Sequence, residues 1–387
     1  MRKGLIAGIV VFIFTFNAVE GKGENHYSED KAVIPYANFQ IWNTYAWDEK
    51  IAEGPVDDRF SPFVRRGRVG LKGAPYENLY YNVQLSFDNL GKDDYMVRGT
   101  NNVKSIDVWS AYFTWTIPKT TLFNLSSGFM LPHISRECTT NPWSVSSLDK
   151  AYTSCYLRRF VTGKNNGIGP GVNLGGFKNF KHASVIYNLG VYNNLNNSTT
   201  AGVKYAPLYV GRVVFTLGAP ELKKYKYTLS STFFGKKRSV SLGVGGSRQG
   251  AADSYTSNRT YGMDLLLEYN GFHVDGEYYW LEREASGKTF DYTTSHVRVS
   301  YRMKIGKCFL EPSFMHMAFE GEDAAPSGFY NGTHYLNDYG INWHIASKKL
   351  KLYFHVVSQY GSGTKNYLIS NGGEKGDYAA LALQVTL

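Results

Sequence analysis

Asp377–Leu387 reads DYAALALQVTL. In an extended chain Ala379, Leu381, Leu383, Val385 and Leu387 fall on one face, and Tyr378, Ala380, Ala382, Gln384 and Thr386 fall on the other. An apolar face against a more polar one predicts an antiparallel strand with lipid on one side and water on the other, the unit of a closed membrane-spanning barrel. A strand at this end of the chain is expected to be tied into the sheet, where it closes the barrel.

The same period of two recurs along most of the chain. Leu79, Tyr81, Val83, Leu85 and Phe87 alternate with Tyr80, Asn82, Gln84, Ser86 and Asp88. In 261–269, Met263, Leu265 and Leu267 oppose Asp264 and Glu268, and a second run over 272–280 follows Asn270-Gly271. Asn-Gly between two alternating runs predicts a two-residue hairpin, because both central positions of a type I′ turn need positive φ. On this basis strands are expected over 36–46, 60–73, 77–89, 105–117, 120–130, 167–177, 183–192, 207–217, 238–248, 259–269, 272–281, 292–303, 307–318, 334–345, 349–360 and 377–387, sixteen in all. The stretch 225–235, YKYTLSSTFFG, has strand character but would make the number odd, and single-chain bacterial barrels have even numbers. The expected fold is therefore an all-β, transmembrane antiparallel barrel of sixteen strands. With Leu387 on the periplasmic side, Gly73–Tyr76, Pro118–Lys119, Asn270–Gly271, Lys304–Gly306 and Ser347–Lys348 become short periplasmic turns. The longest connection, 131–166, is then the third extracellular loop, expected to fold into the lumen, since a connection of that length in a compact domain is usually functional. A barrel of this size leaves an aqueous channel, whereas eight strands are filled by their own side chains.

Composition agrees. The 387 residues include 30 Tyr, 23 Phe, 7 Trp and 40 Gly, a bias toward pleated strands, tight turns and interfacial aromatic girdles. No apolar run approaches the length of a spanning helix, and no repeat marks a propeller or solenoid. Arg2 and Lys3 before the apolar run Leu5–Phe16 read as a cleaved signal peptide over 1–21, followed by a short segment 22–35 and the barrel over 36–387. Three cysteines do not make a disulfide scaffold; Cys138 and Cys155 share the long loop and could pair in an oxidising periplasm or stand as two thiols.

The inner face carries the chemistry. In 60–73, FSPFVRRGRVGLKG, Val69 and Leu71 mark the lipid side, so Arg66, Arg68 and Lys72 point inward. The same test aims Arg212, His296, Arg298, Arg302, Lys351 and His355 inward, together with the acids Asp88, Asp264, Asp275, Glu277 and Asp338. The long loop adds Arg136, Lys150, Arg158, Arg159 and Lys164 against Glu137 and Asp149. Like charges along a low-dielectric channel attract and order anions, and an Arg fork suits phosphate or carboxylate oxygens; the competing role for each cation is a salt bridge to a neighbouring acid. The formal balance of +10 adds little, because surface Lys and Arg also meet lipopolysaccharide phosphates.

Through RRGRVGLKG (65–73), ENLYYNVQLSFDN (77–89), GFMLPHISRE (128–137) and RRFVTG (158–163), the chain resembles the phosphate-selective porin O and P family. The resemblance implies an outer-membrane porin of a Gram-negative bacterium, assembled as a trimer, passing small hydrophilic solutes with a preference for phosphate-like anions. Carried over, Arg66 and Arg68 match the basic strand motif, and Arg136, Arg158 and Arg159 lie in the counterpart of the constriction loop. Leu387 departs from the aromatic residue with which such barrels often end. The alternatives are a general or sugar-permeable porin using lumen tyrosines such as Tyr80, Tyr112 and Tyr279, a plugged adhesive barrel, and a barrel enzyme. No G-x-S-x-G, H-E-x-x-H or C-x-x-C occurs, so no enzyme, metal or cofactor is expected, nor a nucleic-acid partner. With no separate plug domain ahead of the first strand, an open lumen is expected.

Overall fold

The computed structural model describes residues 32–51, 54–92, 106–164, 166–193, 205–229, 237–252, 254–322, 330–347, 349–362 and 376–387. The leader expected over 1–21 lies outside the described residues. Sixteen antiparallel staves form one sheet: β1 (Ile34–Trp47), β2 (Arg59–Tyr76), β3 (Leu79–Ser86), β4 (Asp107–Thr116), β5 (Asn124–Met130), β6 (Gly169–Asn179), β7 (Ala183–Tyr192), β8 (Leu208–Gly218), β9 (Ser239–Gln249), β10 (Ser257–Tyr269), β11 (Phe272–Ala285), β12 (Lys288–Tyr301), β13 (Cys308–Glu320), β14 (Thr333–Ala346), β15 (Leu350–Tyr360) and β16 (Asp377–Thr386). β12 resumes beyond Arg302 as the short piece Met303–Ile305. Each expected strand is present.

The sheet closes because β1 pairs on one edge with β2 and on the other with β16, from Asn38↔Thr386 to Trp47↔Asp377. The Leu387 N–H donates to the Ala37 carbonyl at 2.8 Å. Closure leaves no strand edge with unpaired amides facing hydrocarbon, which is what permits a sheet to span a bilayer. Outside, the alternation exposes Leu71, Val83, Leu242, Leu265 and Ile341, with Trp115, Tyr261, Trp343 and Tyr360 among the exposed aromatics. The hairpin at Asn270–Gly271 has the left-handed backbone its residues allow, φ 49° and 92°. A second two-residue turn, Ser286–Gly287 (φ 51° and 72°), joins β11 to β12 at the opposite end, where 282–291 had been expected to be loop.

The interior is packed. Residues 131–164 fold into it as α1 (Arg136–Thr139), a 3-10 turn at Pro142–Ser144, and α2 (Thr153–Thr162). Local sequence explains each piece. Ser135 caps α1, its Oγ accepting from the Cys138 N–H at 3.1 Å. Asn141 caps the 3-10 turn ahead of Pro142, whose missing N–H costs nothing at a first position. Gly163, at φ 74°, ends α2 with its N–H on the Arg159 carbonyl at 2.8 Å. The apolar side of α2 packs on the far wall, Tyr156 stacking on Phe319 with ring centres 3.9 Å apart.

A second segment enters from the other end. The connection from β8 to β9 belongs to the short-turn mouth, yet Ala219–Leu229 runs inward along β6, β7 and β8. Leu222, Tyr225 and Leu229 cover Phe177, Ile186 and Val214, three apolar side chains on the inner face of those strands. Apolar residues facing a water-filled lumen would forfeit about 1.5–3 kcal/mol each, so this cover is favourable. The described part of the doubtful strand, Tyr225–Leu229, makes no barrel strand and forms a single parallel bridge, Thr140↔Leu229. The open lumen expected from sequence is thus occupied from both ends.

Candidate functional site

The two inserted segments meet inside the barrel. The Asn141 N–H donates to the Leu229 carbonyl at 3.0 Å, and the Leu229 N–H to the Thr139 carbonyl at 3.2 Å. Tyr227 Oη donates to the Leu131 carbonyl at 2.7 Å, and its ring meets His133 edge-on at 4.4 Å. Arg136 forks onto Glu221 through Nη1 at 3.0 Å and Nη2 at 2.7 Å, and reaches Asp264 of β10 through Nε at 3.3 Å. Both side chains of that fork are 3% exposed. Loop, inserted segment and wall are therefore joined through one guanidinium.

Elsewhere the loop is tied to the wall by charge. Glu137 accepts from Arg298 Nη2 at 2.8 Å, and Arg298 also donates to Asp275 at 2.8 Å and to Ser147 Oγ at 2.8 Å. Asp149 takes both Arg65, at 2.8 Å, and Arg66. The β1–β2 register shifts between Gln40 and Ile41, so that Ile41 faces Val64 while Gln40 faces Arg66, and Arg65 is the extra residue. A bulge of this kind lets consecutive side chains share a face, which strict alternation cannot foresee. Contacts to backbone carbonyls complete the tie: Lys351 Nζ donates to the Val145 carbonyl at 3.2 Å, Gln384 to that of Trp143 at 3.0 Å, and Asn342 to that of Ser146 at 2.6 Å.

Each expected pore cation has a definite place. Arg66 is held by Asp149 and Gln40, and Arg68 by Asp88 at 2.7 Å with Trp109 under its guanidinium at 3.5 Å. Arg212 bonds Asp264 at 2.6 Å, and Arg302 bonds Glu311 at 2.6 Å. Arg136 and Arg298 are in the pairs above. Arg158 is buried on α2 and donates to the Cys138 carbonyl, whereas Arg159 and Lys72 keep intermediate exposure. Cys138 and Cys155 are not joined by a disulfide, and the Cys138 thiol turns to the Ser154 carbonyl.

Burial and charge together set the loop chemistry. Burial alone would raise the Glu137 carboxyl, but Arg298, with His296 and Lys150, outweighs it and holds the group down at about 2. Burial likewise opposes ionisation of Glu221, and the Arg136 fork brings it to about 2. Burial, aided by Arg212, pushes His133 down to about 3, leaving a neutral ring. Glu137, Asp275 and His296 converge closely enough to hold a cation, but the Arg298 guanidinium already bonds both carboxylates.

No protein-family model matches the chain, and no curated protein matches its sequence. Solved structures do resemble it. The anion-selective porin from Comamonas acidovorans aligns over 92% of this chain and 99% of its own at 12% identity, with a TM-score of 0.61. The barrel is of the porin fold. OmpF of Salmonella typhi, solved with daunomycin, aligns over 93% of this chain and 99% of its own at 10% identity and a TM-score of 0.58. The outer membrane channel DcaP of Acinetobacter baumannii gives 92% and 97% coverage at 11% identity and 0.51. This likeness is to porin barrels in general and singles out no subfamily.

Proposed function

We propose that this chain is a porin in the outer membrane of a Gram-negative bacterium, a homotrimer set among lipid and lipopolysaccharide, that passes small hydrophilic solutes and prefers phosphate-like anions. The observation that carries the channel reading is a closed sixteen-strand barrel with a polar inner face and an apolar outer one, on a fold shared with porins. Anion preference rests on the resemblance to the phosphate-selective porins. The barrel acts as a passive conduit and not as an enzyme.

The inward arginines act here as ties. Arg66, Arg136, Arg212, Arg298 and Arg302 are buried and bonded to acids, so an anion passing them would have to displace a carboxylate. Conduction therefore requires the meeting point of loop and inserted segment to part. The same neutralisation favours a second reading, a general porin with little charge selectivity. Reversal potential of the purified protein in a planar bilayer under a salt gradient separates the two: an anion-selective value with block by phosphate supports the first, a value near zero the second, and absence of current at pH 6 and at pH 3 alike removes both.

A further inference from the structure

Near the short-turn mouth the outer wall is not smooth. An apolar groove of about 480 Å³ lies against β13–β16, lined by Ile305, Leu310, Ile341, Trp343, Phe354 and Leu381. That is a size at which grooves hold ligands, about 300–1,000 Å³. Two cross-strand rows build it. Leu310, Trp343 and Leu352 are register partners in one row, and Ile341, Phe354 and Leu381 in the next. Leu310 and Leu352 are half-buried, whereas Ile341, Trp343, Phe354 and Leu381 stand 46–51% exposed. Low leucines beside tall exposed side chains leave a recess that a flat strand surface lacks.

Cations stand at the mouth-side end of this recess. Lys304 and Lys307 bracket the turn between Met303–Ile305 and β13, where Ile305 pairs with Cys308. Lys349 precedes β15 on the other side of β14. The end of β14 lies between them: the Cys308 thiol turns to the Ile345 carbonyl at 3.6 Å on one side, and Ala346 pairs with Leu350 on the other. All three lysines are exposed. Neighbouring strands lie about 4.8 Å apart, so Lys307 and Lys349 start about 10 Å from one another, close enough for both side chains to meet one phosphate.

We propose that this groove holds an acyl chain of an anionic glycerophospholipid of the periplasmic leaflet, with its phosphate diester on Lys304, Lys307 and Lys349. The arrangement matches such a lipid in order as well as in kind, with the apolar recess toward the membrane centre and the cations at the level of the turns. Lysine stems cover apolar wall while each ammonium rises to the headgroup. A zwitterionic headgroup carries the same phosphate but brings its own cation, so clustered lysines favour an anionic one. The short turns of such barrels face the periplasm, which sets the leaflet. The inference goes beyond the channel reading: it concerns what the barrel holds from its membrane, and not what passes through it.

The test is native mass spectrometry of the purified full-length protein in detergent, titrated with dimyristoylphosphatidylglycerol or dimyristoylphosphatidylcholine. A lysine near the headgroup favours an anionic lipid about fivefold, so two that reach the phosphate give wild type about a twentyfold preference for phosphatidylglycerol. Lys304→Gln/Lys307→Gln/Lys349→Gln is expected to erase that preference. Leu352→Trp, which fills the recess, is expected to weaken binding of both lipids about tenfold, and Leu242→Trp, exposed on β9, to change neither. If Leu352→Trp does not reach a heat-modifiable folded band, Ile341→Trp serves. Equal binding of the two lipids by wild type, or binding unchanged in a folded groove-filled variant, overturns the site and leaves ordinary annular lipid. Loss of oligomeric mass in that variant with lipid binding unchanged assigns the groove to a second copy of the chain and overturns it too. Binding is read without current, so neither result bears on the channel, which the reversal potential tests separately.

Discussion

Glu221→Gln breaks the fork that holds the two inserted segments together while keeping the side chain's size. Two independent magnitudes agree on its cost. Holding the Glu221 carboxyl at about 2 instead of its ordinary 4.5 corresponds to about 3 kcal/mol at 1.36 kcal/mol per pH unit. Removing one partner of a buried ion pair costs about 3–5 kcal/mol, because the other charge is stranded. Arg136 keeps Asp264 at 3.3 Å, and that acid already serves Arg212, so the loss belongs near 3 kcal/mol. At about 1.4 kcal/mol per decade the ratio of closed to parted interior falls about a hundredfold. In single-channel records the variant should open far more often than wild type. Glu284→Gln is the control: its pair with Arg259 is 41–45% exposed, and such pairs contribute about 0–1 kcal/mol. Opening indistinguishable between Glu221→Gln and wild type would refute the latch.

Acid should open the channel. Glu137 and Glu221 are both held near 2, below an unfolded value of about 4.3, so their contribution is full above that pH and is lost as pH falls toward 2. Neutral His133 adds to this, since an unfolded histidine takes up its proton below about 6.5 and the buried ring, at about 3, does not. Conductance measured from pH 6 to 3 should rise toward the acid end; a flat profile would count against ionic ties. Asp149→Asn strands Arg65 and Arg66 together and should cost about 3–5 kcal/mol, read as a lower unfolding midpoint in detergent. Cys138, whose thiol burial pushes up to about 11, should resist maleimide in wild type and react in Glu221→Gln; equal labelling of both would contradict loop release.

Much of this was legible in the sequence, because a period of two is a strong signal where one face meets lipid. Strand number, the Asn270–Gly271 hairpin and the inward side of Arg66, Arg68, Arg212 and Arg298 all follow from it. Arg65 was hidden by the bulge beside it. The inserted segment was hidden for another reason: YKYTL alternates as a strand does, and parity removes it from the barrel without saying where it goes. The signal that could have found it is Phe177, Ile186 and Val214, apolar residues at inward positions of strands whose outward positions are apolar too. Glu137 and Asp149 read as minor offsets to a basic loop. Their role as ties depends on which wall residue each meets, which no local pattern encodes.

The most direct test of the central claim, that loop and inserted segment meet across the barrel, is the current through Thr140→Cys/Leu229→Cys in a background with Cys138, Cys155 and Cys308 replaced by serine. These bridge partners should satisfy the Cα separation of about 4.4–6.8 Å that a disulfide needs. A bridge that forms on oxidation, keeps the current low and releases it on reduction is the predicted result. A barrel that forms the bridge and still conducts fully, or never forms it, would contradict the account.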